Sequence, residues 1–315
     1  MQNLSPPAPR IGSLNGSPRV SVIIPTTCED RRTLMIRRAI TSVQSQDGEI
    51  ELLVVVNGSS YAESLLSELR ANNGLKVVQI EEGNVSAARY AGLLAVTGDL
   101  FCFLDDDDEL LPGALSTRVG CMASDVDVLV TNGYRHNGGD GLVVQPELAE
   151  RINADLVGTF LEYNWFASAS ALFRRGNVDV SLFDFRIKYF EWTFLFFKLI
   201  EHPLTIRFVD QVTYRIHEDH PVSASKSIDY TNAHPGFLQE LMSMKTVVKG
   251  RNFRELRRKY QAALNRLSRI ESERGDRAAA WAAHARCLMA GGWRYLPYTR
   301  HLISFTTFTL PRPRS

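Results

Sequence analysis

Four consecutive aspartates, Asp105-Asp106-Asp107-Asp108, follow the apolar run Leu100-Phe-Cys-Phe-Leu104. Adjacent carboxylates repel, so each disfavours the ionisation of the next unless a cation is present. On an extended segment alternate side chains point the same way. That aims Asp105 and Asp107 at one point, and Asp106 and Asp108 elsewhere. Hard oxygen ligands that leave coordination positions open suit Mg²⁺ or Mn²⁺ held jointly with a substrate phosphate. The plainer alternative is a solvated acidic loop or a helix N-terminus, where negative charge is favourable. A calcium loop of the helix–loop–helix kind needs a mid-loop Gly and a distal Glu that are missing here. An aspartyl-phosphate phosphatase wants Thr or Val where Asp108 stands.

Such residues need a scaffold, and the preceding chain supplies one. Val20 to Pro25 and Ile50 to Val56 read as buried β-branched strands, and Leu75 to Ile80 and Leu100 to Leu104 as a third and a fourth strand. Thr33 to Gln46, Ser64 to Asn72 and Ser86 to Thr97 read as helices between them. Ile36, Ile40 and Val43 form the apolar stripe of the first helix, and Arg31, Arg32, Arg37 and Arg38 are expected on its solvated faces. Strand–helix alternation predicts an α/β fold with a doubly wound, mostly parallel, Rossmann-like sheet. Ligands of such sheets bind at the carboxyl ends of the strands. Pro25-Thr26-Thr27, Asn57-Gly58-Ser59 and the aspartates all fall at such ends. Further on, Val126 to Val130 and Ile206 to Ile216 read as strands, and the aromatic stretch around Trp165 and Phe166 as core or a sugar-stacking surface.

The chain has 315 residues, with 36 Lys and Arg against 35 Asp and Glu. That near-neutral sum argues against a nucleic-acid-coating protein, but it hides a division. Residues 245–315 hold 16 basic and 4 acidic side chains, and the remainder 20 basic and 31 acidic. The four cysteines are scattered, which excludes a disulfide scaffold or zinc finger and suits a reducing, cytoplasmic address. No run is long and apolar enough to span a bilayer. No basic-then-apolar leader opens the sequence, and residues 1–18 read as a disordered Pro/Ser/Gly-rich arm.

Taken in order, several segments resemble the inverting nucleotide-sugar glycosyltransferases of family 2, which have the GT-A fold. They are Val20-Ser-Val-Ile-Ile-Pro-Thr26, Leu52-Val-Val-Val-Asn57-Gly-Ser59, Gly83-Asn-Val-Ser-Ala-Ala-Arg89-Tyr-Ala-Gly92, and Phe103-Leu-Asp-Asp-Asp-Asp-Glu-Leu-Leu-Pro112. Phe183-Asp184, Phe190-Glu191-Trp192 and Tyr214-Arg215-Ile216-His217 complete the series. The resemblance covers about residues 20 to 225. It implies a GT-A domain over 19–226, followed by a basic helical region over 227–315. It places Pro25, Thr26 and Thr27 in the nucleoside pocket, Asn57 beside the base or ribose, and Arg89 at the donor diphosphate or the acidic cluster. It makes Asp107 the principal metal ligand. Asp105 then holds metal or donor sugar, Asp106 the ribose, and His217 completes the metal shell.

An inverting transfer is one displacement at the anomeric carbon. It needs a base on the acceptor hydroxyl and a neutralised leaving diphosphate. Glu191 stands where the family carries its catalytic Asp, with Asp184 as second choice. Val56 and Asn57 replace the Asp that usually reads a uracil-type base, so UDP-, dTDP- and GDP-linked donors all stay open. The implied cofactor is Mn²⁺ or Mg²⁺, and the implied acceptor a glycan or lipid-linked sugar in cell-surface polysaccharide or glycoconjugate synthesis. Two rival readings are an inactive sugar-binding scaffold and an NDP-sugar nucleotidyltransferase. The latter normally has a Gly-rich loop after its first strand, and Pro25-Thr-Thr-Cys-Glu-Asp30 lacks one. The basic end has helical stretches over Phe253–Ser272 and Arg277–Ala290, then an aromatic segment from Trp293. It suits contact with the inner membrane face or a second subunit, such as a homo-oligomer.

Overall fold

The computed structural model describes residues 18–218 and 228–307. The expected arm over residues 1–18 lies, apart from Pro18, outside the described residues. The chain divides into two compact units, Met1–Pro221 and Val222–Ser315.

In the first unit β1 (Val20–Thr26), β2 (Ile50–Asn57), β3 (Lys76–Ile80) and β4 (Leu100–Phe103) are parallel neighbours in the order β3-β2-β1-β4. They are joined by α1 (Thr33–Gln44), α2 (Glu63–Ala71) and α3 (Val85–Ala95). β1 and β2 are buried almost throughout, as expected of strands covered on both faces. α3 lies close on the sheet because Gly92 permits it: a Cβ there would stand 2.5 Å from Ile23 Cγ2. Consecutive strands run from β1 towards β3 on one side, then cross to β4 on the other. The crevice between β1 and β4 is therefore the switch point at which such sheets bind ligands.

The sheet continues through β5 (Glu109–Leu110), β6 (Val128–His136), β7 (Asp140–Leu142), β8 (Ala171–Arg174) and β9 (Ile206–His217). Beyond β4 the order is β8-β6-β9-β5, with β7 paired to β6; β8 runs antiparallel to both β4 and β6. The short antiparallel strands β5, β7 and β8 are not apparent in the sequence. Each has two to four residues, too few for a repeating pattern. Helices α4 (Ala114–Cys121), α5 (Pro146–Ile152), α6 (Leu156–Glu162) and α7 (Glu191–Ile200) complete the unit. Trp165 and Phe166 are 0% and 1% exposed, so they are core and no sugar platform. Trp165 packs edge-on against Phe160 and Phe196, while Phe101 stacks on Phe173 at 4.9 Å.

At the amino ends of the strands Glu51 is buried. Burial raises its carboxyl, but Lys76 Nζ at 2.5 Å, Ser21 Oγ at 2.6 Å and the Thr97 amide at 2.7 Å outweigh this and hold it at about 2. A carboxylate depressed in the folded state contributes stability above its unfolded pKa and loses it as pH falls through the folded one. Denaturant midpoints are therefore expected to fall between about pH 4.5 and 2. Glu51→Gln, which cannot titrate, should flatten that part of the curve.

The second unit consists of α8 (Ile228–Ser243), α9 (Gly250–Glu273), α10 (Arg277–Met289) and α11 (Tyr298–Thr307). α9 and α10 form an antiparallel hairpin: Ser268 Oγ donates to Ala280 O at one end, and Gln261 Nε2 to Ala290 O at the other. Asp276 caps α10 by accepting from the Ala279 amide. Leu256, Leu264, Ala283 and Cys287 are buried in this unit. Among the described residues no helix is long and apolar enough to cross a membrane.

Candidate active site

β1 and β4 end side by side, and the Leu104 amide donates to Ile23 O to keep them so. The four aspartates follow at once. They form a turn in place of the expected extended segment, closed by the Asp108 amide on Asp105 O at 3.0 Å. Exposure alternates all the same: Asp106 and Asp108 are each 4% exposed, while Asp105 and Asp107 are half-open.

Asp106 belongs to the scaffold. Arg32 grips it with both guanidinium arms, and Thr26 Oγ1 donates to its Oδ2 at 2.5 Å. A carboxylate committed in this way has little left for the ribose that the resemblance assigned to it. Asn57 is similarly occupied: it is 6% exposed and its Nδ2 donates to Thr26 O at 2.9 Å. Thr26 and Pro25 are buried, and Thr27 is half-buried at the mouth of the crevice. Arg32 also lies 3.3 Å from Asp107, and Arg38 donates to the Asp107 carbonyl. The four arginines expected on solvated helix faces thus divide, Arg31 and Arg32 lying in the single 3-10 turn that leads into α1. Arg31 and Arg37 are exposed as expected, but Arg32 and Arg38 turn inward because the buried carboxylates need cations.

Asp105 accepts from Arg89 Nη2 at 2.7 Å and from Ser168 Oγ at 2.8 Å. Ser168 is positioned in turn by Arg118, a fully buried side chain that donates to Ala169 O and Thr213 Oγ1. Burial, then Asp105 and Asp106, push the Asp107 carboxyl upward. Burial, then Asp105 and Asp107, push Asp108 up further. Burial and mutual repulsion thus both disfavour the charged forms of Asp107 and Asp108.

His217 is brought to this cluster, but not as a preformed ligand. Its backbone amide donates to Asp108 Oδ1 at 3.2 Å, and its Nε2 lies 3.4 Å from Glu109 Oε1. Among the described residues no three His, Cys, Asp or Glu side chains converge to hold an ion on their own. Asp105, Asp107 and His217 are thus no ready-made set. Arg215 Nη1 holds Glu109 at 2.5 Å next to the imidazole.

Glu191 opens α7. Phe190 before it adopts the left-handed region at φ 63°, which turns the chain abruptly into the helix. Cys28, beside Thr27, is the other non-glycine residue in that region among those described. Both strained residues therefore adjoin site positions, where such conformations tend to collect. Glu191 lines a small cavity with Ser86, Arg89, Phe183, Phe185, Trp192 and Leu195. Burial raises its carboxyl, and Arg89 acts against the rise. The Arg89 guanidinium also sits over the Trp192 ring at 4.9 Å. Arg89 thus connects Asp105 with the base of α7, and the aspartates and Glu191 share one neighbourhood. Asp184 is instead exposed and paired with Arg186 at 2.9 Å.

Arg32, Arg38 and Ser168 are the residues whose place at the site sequence reasoning missed, and Trp192 entered only as part of a motif. A pair of arginines six and twelve residues past a strand that faces an acidic run is a usable signal; a lone Ser in an aromatic stretch is not.

Comparison with known proteins agrees with this geometry. The model of Glycosyl transferase family 2 matches residues 21–190. Over 131 residues the chain is 31% identical to the GalNAc(5)-diNAcBac-PP-undecaprenol beta-1,3-glucosyltransferase of Campylobacter jejuni, 40% of this chain and 39% of that one. Over 165 residues it is 22% identical to EpsH of Bacillus subtilis, 49% of this chain and 47% of that one. The matches therefore span less than half the length of these curated relatives. Among solved structures, S. aureus TarS 1-349 in complex with UDP-GlcNAc superposes with a TM-score of 0.58 at 18% identity, covering 86% of this chain and 81% of that one. At that identity the likeness speaks for the fold. With the family match over more than half of the chain, the curled, mostly parallel sheet and the acidic turn after β4, the chain belongs to glycosyl transferase family 2 and has the GT-A fold.

Proposed function

We propose that this family member transfers a sugar from a nucleoside-diphosphate donor to an acceptor hydroxyl in one inverting displacement. The observation that carries the reading is the link made by Arg89, which ties the half-open Asp105 to the helix start that bears Glu191. A single displacement needs a donor end and a base within one substrate's length. Glu191 takes the acceptor proton as the acceptor oxygen bonds the anomeric carbon. The bond from that carbon to the donor phosphate oxygen breaks, and its electron pair leaves with the diphosphate. The two half-open carboxylates of the acidic turn fit a divalent cation, Mn²⁺ or Mg²⁺, which Asp107 and Asp105 would hold. When bound, that ion neutralises the leaving diphosphate.

TarS, of like fold, was solved with UDP-GlcNAc, and the C. jejuni relative is named for an undecaprenol-linked acceptor. Both support a nucleotide-sugar donor and a lipid-linked acceptor. Calorimetric titration with UDP, dTDP and GDP in the presence of Mn²⁺ tests the donor half. Saturable binding of at least one is expected; none binding any better than the nucleoside alone would remove the reading.

A further inference from the structure

We infer that the corner of the second unit where α10 ends docks on an anionic phospholipid surface. Met289, Trp293 and Leu296 stand 77%, 64% and 49% exposed within eight residues of chain. Scattered apolar side chains on a surface are ordinary, but a cluster rimmed by charge marks a contact site. The rim is built in. Arg257 Nε donates to Ala290 O at 2.8 Å, and Arg294 Nη2 to Arg258 O at 3.2 Å. These bonds fasten the first half of α9 to the apolar turn.

Charge is sorted along the hairpin. Residues 249–260 and 282–303, which meet at this corner, carry nine Lys and Arg against Glu255 alone. The other acids, Glu271, Glu273 and Asp276, sit at the far turn, about 25 Å away at the rise of an α-helix. Glu255 is itself 3.4 Å from Arg258.

The combination selects the partner. A nucleic acid would use the guanidiniums but has no place for Met289 and Leu296. A second copy would bury the apolar cluster but would set nine cations against nine. A bilayer takes both: Trp and aliphatic side chains enter the headgroup–acyl boundary, and Arg and Lys meet lipid phosphates. Ile303 on α11 is likewise 49% exposed. The inference is independent of the donor and base assignments, all of whose residues lie in the first unit.

The test is flotation of the full chain with vesicles of phosphatidylcholine alone and of phosphatidylcholine mixed with phosphatidylglycerol. Flotation is expected with the anionic vesicles only, and should weaken as salt rises. The double variant M289S/W293S should lower partition by roughly tenfold or more, and Arg254→Gln and Arg258→Gln by about fivefold each. These side chains are exposed, so circular dichroism and nucleotide binding should stay unchanged. Equal flotation on neutral and anionic vesicles, or flotation indifferent to all the variants, would overturn the proposal. So would a dimer that W293S dissolves without any vesicle binding, or retention on DNA or RNA but not on vesicles. If no nucleotide binds yet flotation behaves as expected, the catalytic reading fails and this one stands.

Discussion

Glu191→Gln should lower the turnover of sugar transfer by about two to four orders of magnitude, the usual range for a lost general base. Nucleotide affinity should stay within a factor of about two, since Glu191 takes no part in the Thr26–Asp106–Arg32 network that shapes the end of β1. Gln keeps the size and hydrogen-bonding reach of the side chain but cannot take up a proton. The pH profile gives a second readout. Burial raises the Glu191 carboxyl above its ordinary value, so the protonated, inactive form persists to higher pH than for a free Glu. Wild-type kcat should therefore fall as pH drops through that raised pKa, and the residual activity of the Gln variant should lack this limb. A purely structural role gives the opposite pattern. Were Glu191 only the favourable negative charge at the start of α7, its loss would lower Tm modestly and leave turnover near normal. Glu191→Asp should fall between the two, because one methylene fewer withdraws the carboxylate from its place beside Arg89.

The parts legible in the sequence were those with long-range regularity. Four parallel strands, all but the edge strand β3 buried, and three helices emerge from residues 20–104 because β-branched runs and helical spacing repeat over many residues there. The placement of ligand-facing segments followed from topology alone: strand ends at Thr26, Asn57 and Asp105 had to lie on one edge. What stayed hidden was decided by tertiary pairing. Arg32 and Arg37 are indistinguishable in a helical projection by type, yet one clamps a buried aspartate and the other meets Glu68 at the surface at 2.6 Å. The alternation of the aspartates had the right outcome for a different reason. A tight turn, not a strand, buries Asp106 and Asp108, because Arg32 and the His217 amide wait for them. His217 shows the limit of a motif: the chain brings the residue to the cluster, but its ring stands beside Glu109 and the His136 ring.

Asp107→Asn should abolish Mn²⁺-dependent transfer, a loss of at least about a hundredfold, and weaken Mn²⁺ binding read by the electron paramagnetic resonance of the free ion. The expectation rests on the division of labour within the turn. Asp106 is spent on Arg32 and Thr26, and Asp108 is enclosed against the His217 amide. Asp105 is shared between Arg89 and Ser168. Asp107 has Arg32 at 3.3 Å and 34% of its side chain open, the least committed of the four. Asn preserves its shape and leaves the Arg32–Asp106 clamp in place, so Tm should change little. Asp108→Asn is the matched control. It removes one carboxylate from the same run, but at a position whose burial already disfavours the charge, and the amide oxygen can still accept from His217. That variant should retain Mn²⁺ binding and most of the activity. Equal losses in the two variants would mean that the run acts through its summed charge, with no ligand role for Asp107. Full activity in Asp107→Asn would take the metal away from this turn altogether, and would leave Arg89 and Arg32 as the cations that face the leaving diphosphate.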